Sequence, residues 1–299
     1  MSQPIVECVA NYSEGRDQSV IDYIHDSIVQ VQGVKVINVH SDRDHHRTVI
    51  TFIGRPSAVA EAAFFSIAAA VEHIDMEAHQ GQHPRIGAAD VIPFVPIRDI
   101  MMADCVELAR GVGQRVGALL GLPVYLYEQA ALRDSRRNLA DVRRGQYEGL
   151  KQVVGVDSQY APDYGPALLG KGGAVAVGAR GPLIAFNVYL GTSDVQVARR
   201  IAENLRFSSG GFRFVKALGL LVDGQAQVSM NVTDYTKNPL PQIIELIRRE
   251  ALRYGVLIQH SELVGVMPLQ TLIDTGKWYL QLDSLSAEDI LETHLMDLD

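Results

Sequence analysis

Cysteine is nearly absent. Cys8 and Cys105 are the only two in 299 residues, too few and too far apart for a disulfide framework or a zinc ribbon, so they read as core thiols in a reducing compartment. Basic residues are in deficit as well. Lysine and arginine number 27 against 35 aspartates and glutamates, a formal charge of −8, which excludes the basic face of a nucleic-acid binder. An anionic ligand therefore needs a locally positive site inside an acidic protein. No uncharged apolar run reaches the roughly 18 residues of a membrane span, and no basic segment leading an apolar stretch opens the chain. These absences point to a cytoplasmic protein with neither nucleic acid nor membrane as a partner. A G-x-S-x-G nucleophile elbow and a P-loop lysine are missing too. What remains is an ordinary globular composition, 47% hydrophobic and 21% charged, in a length that suits one large or two modest domains.

Taken in order, the chain spells out an alternation. Ile5 to Ala10 reads as a strand closed by the turn formers Asn11, Ser13 and Gly15. Asp17 caps a helix with Val20, Ile24, Ile28 and Val31 at helical spacing, and Gly33 stops it. Two β-branched runs follow, Val34 to Val39 and Thr48 to Ile53, joined by a long polar link from His40 to Arg47. Pro56 starts a helix through Val71 that is apolar on nearly every face, and Val91 to Val95 is a strand whose Pro93 and Pro96 suggest a sheet edge or an irregular end. This is β-α-β-β-α-β. A second cycle runs from Leu183 to Gln259, with Asp194 as a helix cap, a hairpin turning at Asp223-Gly224, a helix from Pro241 to Tyr254 and a last strand from Val256. The expected architecture is α+β, two ferredoxin-like subdomains covering residues 1–179 and 180–299 with a ligand cleft between them. Met101 to Leu120 (helix), Val124 to Tyr127 (strand) and Leu139 to Val153 (helix) are additions to the first.

The chemistry concentrates in one connection, His79 to Pro96, HQGQHPRIGAADVIPFVP. His83 can move protons near neutral pH, and Pro84 biases it toward an extended backbone. Arg85, two residues on, can grip an anion bidentately. A solvated or structurally bonded histidine is the plainer reading, and a zinc pair from His79 and His83 is opposed by Gly81 between them and Pro84 after them. The cluster His40, Asp42, Asp44, His45, His46 and Arg47 reads as a polar loop or a metal site. NYSEGR, Asn11 to Arg16, offers functional groups at a strand end or forms a helix-entry turn. Gln159 to Gly173 is a linker or a ligand-cradling loop, because glycines allow backbone amides to approach an anion or a flat ring. The five arginines between Arg133 and Arg144 form an exposed face or attract a polyanion.

HPRIGAADVIPFVP, together with CVANYSEGR at Cys8 to Arg16 and APDYGP at Ala161 to Pro166, resembles the formiminotransferase domain of glutamate formimidoyltransferases, and the likeness runs from Ile5 to about Asp274. It implies transfer of a formimino group from N-formimino-L-glutamate to tetrahydrofolate, with tetrahydrofolate as a co-substrate and no metal or tightly bound cofactor. It implies His83 as the acid/base catalyst, which such a reaction suits at a pKa near 7. It also implies folate contact by the loop Gly165, Pro166, Ala167, Leu168, Leu169, Gly170, Lys171, Gly172 and Gly173. A donor that carries carboxylates calls for arginines. Arg85 and Arg47 are the candidates, with Arg180 third, and each reads equally as a structural ion-pair partner. Asp90 either orients an imidazole or caps the following strand, and Asn11 is a further substrate-binding candidate. The family suggests a homodimer and a separate cyclodeaminase to receive the product, since 299 residues leave no room for that second activity. A relative acting on 5-formyl-tetrahydrofolate, a regulatory module that binds a small ligand without chemistry, and a hydrolase using His45, His46, His79 and Asp90 around a metal are the competing readings.

Overall fold

The computed structural model describes residues 3–81 and 83–297 and falls into two compact units, Met1–Gly181 and Pro182–Asp299. Gln82, just before His83, lies outside the described residues. The first unit runs β1 (Ile5–Tyr12), α1 (Gln18–Val29), β2 (Val34–Asp42), β3 (Arg47–Gly54), α2 (Pro56–His73), β4 (Ala89–Arg98), α3 (Met102–Leu119), β5 (Val124–Glu128), α4 (Leu139–Val142), α5 (Gln146–Val153) and β6 (Val175–Ala179). Its sheet has the order β2-β3-β1-β4-β6-β5. The first four strands are antiparallel, in ferredoxin-like order, and β6 and β5 extend them in parallel. Alternation explains the core: Val6, Cys8, Ala10 and Tyr12 of β1 are fully buried in one cluster with Ile24 and Ile28 of α1 and Val59, Ala63 and Ile67 of α2. Both cysteines are buried and free.

α2 contacts α1 on one flank, α3 on the other and the sheet beneath, so it has little need of a polar stripe and its alanines let the neighbours close in. Asp17 caps α1 by accepting from the Ser19 amide, and Gly33 turns the chain at φ +87.

Four expectations change. β4 is central, paired with β1 on one side and β6 on the other. Its ladder to β1 lapses between Phe94 and Val91, opposite the proline that has no N–H to give. The link between β2 and β3 is short, because β2 continues to Asp42 and places His40 in the sheet opposite Val49. The helix expected over Leu139 to Val153 is broken into α4 and α5 by Gly145 at φ +83 and Gln146 at φ +55. The run of small residues AVAVGA, unassigned from sequence, contributes the buried parallel strand β6.

The second unit is β7 (Ile184–Leu190), α6 (Val195–Leu205), β8 (Val215–Val222), β9 (Gln225–Val232), α7 (Leu240–Leu252), β10 (Ile258–Val264) and α8 (Leu269–Leu280). The sheet order β10-β7-β9-β8 is ferredoxin-like and antiparallel throughout. α6 is capped by Asp194 and buries Val197, Ile201 and Leu205. Asp223 and Gly224, at φ 49 and φ 77, make the tight hairpin turn that Asp-Gly favours. β10 begins two residues later than expected, at Ile258, and α8 follows without a sequence-based counterpart. Among the described residues no helix is long and apolar enough to cross a membrane.

Candidate active site

The NYSEGR turn joins three pieces of the first unit. Glu14 Oε1 accepts from the amides of Gly15, Arg16 and Asp17 and faces His46 Nε2 at 3.0 Å. Its backbone carbonyl takes the Thr48 hydroxyl. A Cβ at Gly15 would overlap the Asp42 carbonyl oxygen, so only glycine fits beneath the β2–β3 turn. Ser13 then ties β1 to the His83 loop, its amide to the Ala88 carbonyl and its hydroxyl to that of Gly87. Asn11 spends its side-chain amide on the Val9 carbonyl.

Arg85 is buried, and all five of its N–H donors are engaged. Nε donates to His79 Nδ1, Nη1 to Gln146 Oε1 and Glu148 Oε2, and Nη2 to the His79 carbonyl and Glu148 Oε1. No donor is left for a substrate. His79 is held in turn, stacked on His46 with ring centroids 4.2 Å apart and bonded through Nε2 to the His46 carbonyl. Arg85 of the HPR triplet is thus a strut between the His83 loop and α5.

His83 itself meets Arg47. The first residue of β3 places a guanidinium Nη1 at 2.6 Å from His83 Nε2. A guanidinium has no acceptor, so Nε2 must accept. That fixes the neutral tautomer, with the proton on Nδ1 and the lone pair on Nε2. Burial, then the charges of Arg47, Arg143 and His45, push the imidazole from its ordinary 6.5 down to about 2. The expected pKa near 7 is absent in this arrangement, because burial and two fixed cations oppose a third. Arg47 is strained electrostatically in the same way: burial and Arg143 lower it to about 10, against the pull of Asp90 and Asp42.

Arg143, in the turn after α4, was hidden in the charge run read as an exposed face. It forms an ion pair with the buried Asp90, whose other oxygen accepts the Ile86 amide at 2.9 Å. Asp90 therefore positions an arginine and not an imidazole. Arg136 of the same run is also buried, paired with Asp163 at 2.6 Å, and Asp163 accepts the Leu126 amide, so APDYGP serves as scaffold. No local signal separates Arg143 from its exposed neighbour Arg144.

The structure thus brings together His83, Arg47, Arg143 and Asp90, with the His45 ring edge-on to His83 at 6.4 Å and held by Asp42 through Nδ1 at 2.7 Å. Arg180 donates to the Gly181 carbonyl, and its charge bears on Glu7, Cys8 and Tyr127, the last of which also feels Arg143. The side chains of the metal reading, His45, His46, His79 and Asp90, are spent on Asp42, Glu14, Arg85 and Arg143.

In the glycine loop, Gly165 through Leu168 are exposed and Leu169 is buried. Lys171 pairs with Asp75 at 3.0 Å. Gly173, at φ +69, bridges to Gly87, and a Cβ there would overlap the Ile86 carbonyl. These glycines let the loop buttress the His83 segment. Gly173→Ala is expected to cost more than about 2 kcal/mol, measured as a fall in the urea midpoint at unchanged slope.

The depressed His83 also links stability to pH. Between about 2 and 6.5 the unfolded chain holds a proton that the folded one excludes, so this contribution is complete above pH 6.5 and shrinks as the pH falls below it. His79, lowered chiefly by burial, acts in the same direction. In His83→Gln, the decline of the urea midpoint between pH 7 and pH 5 is expected to be shallower than in wild type; an unchanged decline would refute the shift.

Comparison with known proteins gives one answer along the whole chain. Residues 5–180 match the model of the formiminotransferase domain, N-terminal subdomain, and residues 185–298 that of the formiminotransferase domain. A glutamate formimidoyltransferase of Thermoplasma acidophilum is 49% identical over 292 residues, 96% of each chain. One of Streptococcus pyogenes is 44% identical over 98% of this chain and 99% of its own. A formimidoyltransferase-cyclodeaminase of Sus scrofa is 41% identical over 95% of this chain and 54% of its own.

Proposed function

The chain is a transferase that belongs to the formiminotransferase family, and on that premise we propose that it moves the formimino group of N-formimino-L-glutamate to tetrahydrofolate, giving 5-formimino-tetrahydrofolate and glutamate, with His83 as the acid/base. N5 of the folate attacks the amidine carbon, and the tetrahedral adduct collapses by releasing the amino group of glutamate. The attacking nitrogen must lose a proton and the leaving nitrogen must gain one, since an amide anion does not depart at neutral pH. One imidazole performs both transfers in turn. The observation that carries the reading is the neutral His83, its tautomer fixed by Arg47 and its single ring lone pair at Nε2. Arg47 is the remaining donor anchor among the arginines singled out from sequence, as Arg85 has no free N–H. The exposed residues of the glycine loop, Gly165 to Leu168 with Gly170 and Lys171, are the part open to the folate. A homodimer, and a separate cyclodeaminase that consumes the product, belong to the same proposal. Holding both substrates in register supplies much of the rate.

The test is a transfer assay in which the product is converted by acid to methenyl-tetrahydrofolate and read by absorbance. Absorbance that grows only with both substrates present supports the proposal. Enzyme-dependent loss of acid-convertible 5-formyl-tetrahydrofolate with glutamate as the formyl acceptor would replace the donor, and tight folate binding without turnover would replace the enzyme by a binding module.

A further inference from the structure

Arg47 and Arg143 are an unusual pair to leave in a half-buried site. Arg143 depresses Arg47, and the carboxylate in ion-pair contact, Asp90, is bonded to Arg143, while Asp42, which also draws on Arg47, is bonded to His45. Among the described residues Arg47 has no carboxylate in ion-pair contact, and its hydrogen bond goes instead to the lone pair of His83. The Nε of Arg143 is buried without a partner. A half-buried cation with no carboxylate in contact marks a place for an anion, and an orphan guanidinium N–H marks its direction.

We infer that Arg47 caps the base nitrogen of His83 in the free protein, and that a substrate carboxylate received between Arg47 and Arg143 draws the cap away and frees the base. The inference rests on the transfer reading for the identity of the carboxylate, which is that of the donor. Physically, the carboxylate offers Arg47 a charged acceptor that can take two N–H groups at once, in place of a neutral ring nitrogen that takes one. It also cancels the cationic field that keeps the imidazole from taking a proton. The groups that face His83 are Arg47 from β3, His45 from the β2–β3 turn and Arg143 from the turn after α4, with Asp42 and Asp90 behind the arginines. No other group need change charge. Asp90 is then a positioning residue that aims Arg143. A formimino compound without a carboxylate would leave the base capped, so selection of the donor and activation of the catalyst become one event.

The experiment follows His83 by nitrogen NMR in protein labelled with ¹⁵N-histidine, using glutarate as the dicarboxylate probe and glutaramide as its neutral counterpart. Glutarate is expected to raise the His83 titration midpoint by about two pH units and to shift Nε2 away from its arginine-bonded position, and glutaramide to do neither. Arg143→Gln is expected to raise the midpoint in the absence of ligand and to weaken glutarate at least about tenfold. If Arg143→Gln does not fold, Arg47→Met replaces it: methionine has no N–H to give, and Nε2 should read as uncapped without glutarate. A His83 signal indifferent to glutarate, or one that moves equally with glutaramide, overturns the inference. None of these readouts needs turnover, so a failed transfer assay and a failed cap remain distinguishable.

Discussion

Replacing His83 by alanine is expected to lower turnover by about 10² to 10⁴, the usual share of positioned acid/base catalysis, with folate affinity retained. The expectation follows from its place rather than from its residue type. The imidazole is bonded through Nε2 to Arg47, and its loop is pinned through Gly87, Ala88 and Ile86 to β1, to Asp90 and to the glycine loop. Alanine leaves every one of those backbone attachments intact, so the loss should fall on kcat and leave the fold unchanged. It also removes the acceptor of Arg47, which should tighten small dicarboxylates, because the guanidinium no longer has a neutral partner to abandon. Single-turnover rates beside equilibrium folate binding separate the outcomes. Turnover within about fivefold of wild type would remove His83 from the chemistry while sparing the assigned transfer.

The second large effect concerns Arg85 and runs through stability. Arg85→Met should lower unfolding free energy by about 2–4 kcal/mol, seen as an earlier urea midpoint, because five hydrogen bonds go and His79 loses the partner of its Nδ1. The figure is kept below that of a fully buried ion pair because Glu148 is 60% exposed and regains water when the arginine leaves. Arg85→Lys should recover little of the loss, since an ammonium cannot span Glu148, Gln146 and the His79 carbonyl at once. Donor KM measured on the folded fraction should be unaffected. A raised KM at unchanged stability would mean instead that Arg85 leaves Glu148 to bind substrate.

These two residues stand two positions apart in HPR, and nothing local distinguishes their roles. The blocks that make the resemblance specific turn out to hold more scaffold than chemistry. Glu14 organises the turn into α1, Asp163 holds the buried Arg136, and Arg85 braces the loop against α5. A family motif records every residue the site depends on, whether it touches the reacting atoms or fixes the backbone that carries them.

What the sequence determined by itself is what depends on near neighbours. The caps at Asp17 and Asp194, the Asp223-Gly224 hairpin and the β-α-β-β-α-β order of each half rest on interactions spanning a few residues, and there propensity and hydrophobic period suffice. The tertiary structure decided the rest. Pro93 could sit in a central strand because the ladder lapses where its N–H is missing, and the small-residue run of β6 became a strand only where β4 and β5 leave a slot. Arg143 joined the site because a turn 53 residues beyond Asp90 returns over the sheet, pairing two charges that no periodicity connects. Charge in particular is undecided until burial is known: the same guanidinium is solvated at Arg144, a strut at Arg85 and a cap on the base at Arg47. The desolvation that sets those roles belongs to the packed chain.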